Sequence, residues 1–201
     1  VVVQGTRQVK STNGSVLFAM SPTSGAGGVN GDTANGIADH LEVLAAQSVT
    51  FKEVVGGSVP LDSLTIGASN AQVTDVTFEK SVVVDGNLSI YASGIVNFNA
   101  GVRINKGGSL RIEGASSVAF MGGEVVLNPV TIGGTGSTGA SGNIFLETNS
   151  LTLPALDDSV RATGTGSLLT LRPTDTARPV LLFSPAIPVT DTVAPSLDLS
   201  S

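Results

Sequence analysis

Apolar residues along this chain recur in short runs, with polar or small residues between them at every second position. Ser48-Val49-Thr50-Phe51 is echoed by Asp75-Val76-Thr77-Phe78, by Ile95-Val96-Asn97-Phe98 and by Ser117-Val118-Ala119-Phe120. A period of two is the signature of a half-buried strand. Gly, Asn, Asp and Ser punctuate the runs every ten residues or so, which keeps the strands short. Helix formers gather only in residues 34–46, where Gly36 intervenes and no 3.6-residue period is present. The pattern predicts an all-β chain.

The same pattern repeats at a nearly fixed period. Successive phenylalanines of the motif stand 27, 20 and 22 residues apart. Each is followed by a second apolar run: Val54-Val55, Val82-Val83-Val84, Val102-Arg103-Ile104 and Val125-Val126-Leu127. In three units a third run follows: Ser63-Leu64-Thr65-Ile66, Asn87-Leu88-Ser89-Ile90 and Ser109-Leu110-Arg111-Ile112. One unit is therefore three short strands in 20–27 residues. No such unit buries its apolar face alone, whereas stacked units share one continuous interior.

This grammar predicts a parallel β-helix, a β-solenoid with three short strands per turn. Phe51, Phe78, Phe98 and Phe120 are expected to form one interior column, and Leu64, Leu88 and Leu110 another. Alternation turns Val102, Ile104 and Ile112 inward and Asn97, Arg103 and Arg111 outward. A β-sandwich also alternates, but it does not repeat x-Val-x-Phe at one phase. About eight turns at ~4.8 Å each would give a rod roughly 40 Å long.

Rungs are expected over residues 1–171, beginning with an earlier phenylalanine strand at Val16-Leu17-Phe18. Large Gly-rich loops are expected at residues 21–39 and 133–142, and a smaller insertion at residues 69–75. Five of the nine prolines fall after Arg172. Proline cannot donate to a central ladder, so residues 172–201 read as an extended tail or irregular last rungs.

Composition narrows the function classes. Only 13% of residues are charged while 41% are apolar, which is enough to fold. With 10 basic and 16 acidic residues the net charge is −6, and the basic residues are scattered. Neither nucleic acid nor membrane insertion is expected. The absence of cysteine excludes thiol chemistry, disulfides and Cys-ligated zinc. The chain opens on Val1-Val2-Val3 without an initiator methionine, which reads as a processed product or a piece of something longer.

Candidate chemistry is sparse. Clustered carboxylates beside Arg or Lys on one face would mark a polysaccharide-active enzyme. The outward charges here are Lys52, Glu53, Glu79, Lys80, Arg103, Lys106, Arg111, Glu113 and Glu124, mixed in sign and spread over faces and corners. The adjacent pair Asp157-Asp158 would point to opposite faces of a strand. His40 is the only histidine; a metal there would draw on Asp32, Asp39 and Glu42, but it reads more simply as a polar residue entering a strand. Gly27-Gly28-Val29-Asn30-Gly31-Asp32 is one imperfect copy of a calcium-binding nonapeptide that works only in tandem. The outward column Thr50, Thr77 is broken by Asn97 and Ala119, so no regular threonine array forms. No catalytic, metal or cofactor-binding residue is expected, and no cofactor.

The wording of residues 48–66 is more specific. Val49-Thr50-Phe51, Val55-Gly56-Gly57, Pro60-Leu61 and Ser63-Leu64-Thr65 together resemble the repeat phrase of giant bacterial surface exoproteins of the filamentous-haemagglutinin-like, two-partner-secretion type. Asn30-Gly31-Asp32 with Leu41-Glu42-Val43, and Gly166-Ser167-Leu168 with Leu171-Arg172-Pro173, fit neighbouring parts of that phrase. The resemblance implies an extracellular, right-handed β-helix acting in adhesion or as a surface fibre. It carries no catalytic residue to transfer.

No amphipathic cap is legible at either end, where Val1-Val2-Val3 and Ser196-Leu197-Asp198-Leu199-Ser200 read as strands. Open ends of a solenoid are sticky, so end-to-end self-association or continuation into a longer chain is expected. The expected ligand is a host or matrix glycan or protein. The alternatives are a glycan-binding module reading its ligand through residues 21–39 or 133–142, and a degenerate polysaccharide-active enzyme.

Overall fold

The computed structural model describes residues 1–19, 28–32, 36–128, 131–132, 137–138, 142–153, 160–162, 166–177 and 181–183. These residues form a parallel β-helix without α-helix. The first sheet stacks seven strands: Thr6–Ser11, His40–Ala45, Ser63–Ile66, Leu88–Tyr91, Leu110–Ala115, Ile144–Thr148 and Leu169–Arg172. The second stacks Val16–Phe18, Val49–Phe51, Val76–Phe78, Ile95–Phe98, Ser117–Phe120, Ser150–Thr152 and Leu181–Phe183. The third holds Val82–Val84, Val102–Ile104, Val125–Leu127 and Val160–Ala162. Parallel bridges Val2↔Asn30, Val29↔Val55 and Val55↔Val82 carry that third face back toward the first rung.

Register keeps like residues in columns. Leu41, Leu64, Leu88, Leu110, Ile144 and Leu169 pair in succession, as do Val43, Ile66, Ile90, Ile112, Leu146 and Leu171. A slip of one residue would turn each strand inside out, so the apolar alternation fixes the stacking. Phe18, Phe51, Phe78, Phe98 and Phe120 form one interior stack, with neighbouring centroids 4.5, 4.8, 5.0 and 5.0 Å apart. That spacing is the strand spacing of a sheet: the backbone ladder sets the rings one above another. Each buried ring contributes roughly 1.5–3 kcal/mol of burial.

The corner between the third and first sheets brings backbone against backbone. A Cβ on Gly86 would lie 2.2 Å from the Asp62 carbonyl oxygen; on Gly108, 2.1 Å from that of Gly86; on Gly142, 2.0 Å from that of Gly108. Only glycine fits such an approach. Beside this column, the Asn105 side-chain amide donates to Asp85 (3.0 Å) and that of Asn128 donates to Asn105 (2.8 Å). Asn105 and Asn128 thus tie successive turns together at the corner.

The described residues bear on three expectations. Two sheets contain seven strands, so the rod of described rungs is about 30 Å long rather than 40 Å. Leu181–Phe183 pairs with Ser150–Thr152, so rungs continue beyond residue 171; residues 184–201 lie outside the described set. At the N-terminal end Arg7 is in register with Leu41, and Ser11 with Ala45. The first rung therefore places a charge and a hydroxyl in columns that are apolar further along, a polar device that the sequence pattern did not reveal.

The expected loop at 133–142 contains part of an antiparallel pair, Thr131–Ile132 with Ser137–Thr138. Residues 133–136 and 139–141 lie outside the described set, as do 21–27 and 33–35 of the other large loop. The insertion at 69–75 closes tightly, with Ala68 and Ala71 exchanging both backbone hydrogen bonds.

Candidate functional site

Three polar assemblies sit outside the core. The first surrounds His40, at the entry to the second strand of the first sheet. Asp39 is buried, and its carboxylate accepts hydrogen bonds from the backbone N–H of Gly5 (2.7 Å) and of Asp32. The Asp39 N–H in turn donates to the Asp62 carboxylate at 2.6 Å. Gln4 donates to Asp32 at 2.7 Å and Gln8 to Glu42. His40 Nδ1 sits 2.6 Å from the Ser63 hydroxyl. The carboxylates that a metal would require are thus engaged by amide donors, clamping residues 4–8 and 32 onto the second rung. Among the described residues no three of His, Asp and Glu converge.

The second assembly covers the outer face of the first sheet over its last three strands. Phe145 lies between Arg111, 4.5 Å from its centroid, and Arg172, 5.4 Å away. Arg111 is paired with Glu113 at 2.6 Å and Arg172 with Glu147 at 3.1 Å. The hydrogen bond that Arg111 donates to the Glu113 carboxylate holds its guanidinium above its ordinary pKa, outweighing partial burial. Two guanidinium groups on one ring, each with its own carboxylate, form a closed network. Sequence reading placed Arg111 and Glu113 outward but missed Phe145 as their partner, because a 34-residue step separates Arg111 from it.

The third assembly is a groove of about 420 Å³ on the outer face of the third sheet. Val83, Arg103, Val126 and Arg161 follow one another in register there. Gly101 leaves a notch between Ser81 and Glu124 at the edge of the sheet, and these residues line the groove with Val83, Arg103 and Val126. Arg161 pairs with Glu124 at 2.7 Å. Arg103 is exposed and forms no ion pair or side-chain hydrogen bond among the described residues. Sequence reading singled out Arg103 and Glu124; the missed signal was the glycine at a corner position occupied by Ser81 and Glu124 in neighbouring rungs.

The remaining predicted charges stay apart. Lys106 leaves the polar corner and pairs with Asp85 at 2.5 Å. Lys52, Glu53, Glu79 and Lys80 sit at the corner between the second and third sheets and form no ion pairs among the described residues. Asp157 and Asp158 lie outside the described residues.

Compared with known proteins, the chain matches no family model, no curated protein and no solved structure.

Proposed function

We propose that the chain is a non-catalytic structural segment of an extracellular bacterial adhesin or surface filament, in which stacked rungs act as a stiff spacer. The observation that supports this reading best is the uninterrupted stack from Phe18 to Phe120, which locks five consecutive turns into one interior. Side-chain bonding reinforces it: Glu124–Arg161, Glu147–Arg172 and Asp85–Lys106 each join neighbouring turns. These are the bonds of a rod held along its axis. The sequence likeness to haemagglutinin-like exoproteins supplies the surface location and the adhesive role in this proposal.

Two measurements test it. Small-angle scattering should return an elongated particle, and antibody against the chain should label intact cells of the source organism. A compact sphere would refute the spacer, and labelling only after lysis would refute the surface location.

A further inference from the structure

We infer that the groove on the third sheet is a binding site for an acidic sugar, with Arg103 as the anchor of its carboxylate. The site is separate from the loops at 21–39 and 133–142 and does not depend on the chain being a spacer.

The argument starts from charge. The chain carries a net −6, yet the groove face sets Arg103 and Arg161 against the single carboxylate of Glu124. Arg161 holds that carboxylate at 2.7 Å, so Glu124 does not neutralise Arg103. Arg103 stands exposed with its donors unused, and a planar fork of N–H groups in that state matches a carboxylate in two-point contact. The Arg161 Nε is buried and has no hydrogen-bond partner among the described residues.

Shape selects the rest of the ligand. The volume, about 420 Å³, lies in the range of small-ligand sites. The floor is apolar where Val83 and Val126 flank Arg103, and the rim is polar at Ser81 and Glu124. A pyranose ring has the complementary character, with a C–H face for the valines and hydroxyls for the rim. An acidic peptide fits less well. It would seek backbone partners, but the two central strands of this sheet, Val102–Ile104 and Val125–Leu127, are paired on both sides. The notch exists because Gly101 has no side chain, so the groove is built by the sequence rather than left between loops.

The test is titration of the intact chain with tri-galacturonate and with a hyaluronan tetrasaccharide, read by calorimetry and by backbone amide shifts. At least one should bind and move the amides of Ser81, Gly101 and Arg103. Its methyl ester should bind about tenfold more weakly or worse, because a charged hydrogen bond is lost. Arg103→Gln should show a similar loss, Arg103→Lys should keep part of the affinity, and Ser81→Asp should weaken binding by repulsion. Circular dichroism and melting should stay unchanged in all three variants, since these side chains make no internal bond. Binding by neither saccharide, equal binding of acid and ester, or an unaffected Arg103→Gln would overturn the inference. So would the same amide shifts from acetate at equal concentration, or from a tri-aspartate peptide.

Discussion

The rings of Phe51 and Phe78 lie 4.8 Å apart and within 7° of parallel, although 27 residues of chain separate them. Stacking of this kind links rungs that are distant in sequence, so its loss should be felt along the rod. Phe98, between Phe78 and Phe120, has rings on both sides. Phe98→Ala should cost about 3–5 kcal/mol, the usual penalty for emptying a buried aromatic site. Asn97→Ala, its outward neighbour, should change stability far less. Urea unfolding of the pair checks this, and matching midpoints would contradict the register.

The glycine corner gives a sharper steric expectation. A methyl group on Gly108 would meet the Gly86 carbonyl oxygen at 2.1 Å, and backbone cannot step aside as a flexible side chain would. Gly108→Ala should therefore destabilise by about 1–3 kcal/mol through forced backbone shifts. Gly36→Ala, where nothing lies within 4 Å, tests positive φ alone and should be milder. Thermal denaturation distinguishes them.

Asp39 offers a polar counterpart. Its carboxylate satisfies the backbone N–H groups of Gly5 and Asp32, and Asp39→Ala strands both. Each orphaned donor costs about 1–3 kcal/mol, so residues 1–11 should loosen before the remaining rungs. Hydrogen exchange should show early loss of protection at Val9 while Ile90 stays protected. A chelator, by contrast, should leave melting unchanged, because those carboxylates are bound by amides. A drop of several degrees would overturn this account of the His40 region.

Lys106 supplies the pH dependence. The hydrogen bond to Asp85 raises its pKa above the ordinary 10.5. A raised lysine pKa means that the stabilisation is complete below 10.5 and fades as pH climbs through the raised value. Comparison of the native chain with Lys106→Met from pH 8 upward should show a small constant gap, about 0.2–1 kcal/mol for so exposed a pair, closing at strongly alkaline pH. Lys106 also has a left-handed φ of 51°. Relief of that strain is worth about 1–2 kcal/mol, so Lys106→Gly should be neutral or mildly stabilising despite losing the ion pair. A clear loss of stability in Lys106→Gly would show that the pair outweighs the backbone.

The fold was legible because its two periods, two residues along a strand and some twenty along the chain, are both written in side-chain polarity. Val49-Thr50-Phe51 announces its own orientation, and its echoes announce the stacking. The groove was less legible. Arg103 reads only as an outward charge until the sheet sets Val83 and Val126 on either side of it. The Arg111–Phe145–Arg172 network lay hidden for a similar reason: unequal corner lengths bring these residues together, and no fixed spacing marks them. Glycine at 86, 108 and 142, each just before Asn or Ser at the head of a first-sheet strand, was a signal open to sequence reading but not taken.

Leu110 pairs directly with Ile144, although most earlier rungs make the same step in fewer residues. The extra chain, including the pair Thr131–Ile132 with Ser137–Thr138, enters and leaves at a corner without altering the columns before and after it. Such a corner can vary in evolution nearly independently of the coil, because the loop-closure penalty grows only slowly with length. Foreign sequence spliced between Asn128 and Gly142 would be carried on a preformed mount, its composition free of the constraints that govern every rung. The same position suits a reporter tag or epitope, and it is where related chains should differ most in length.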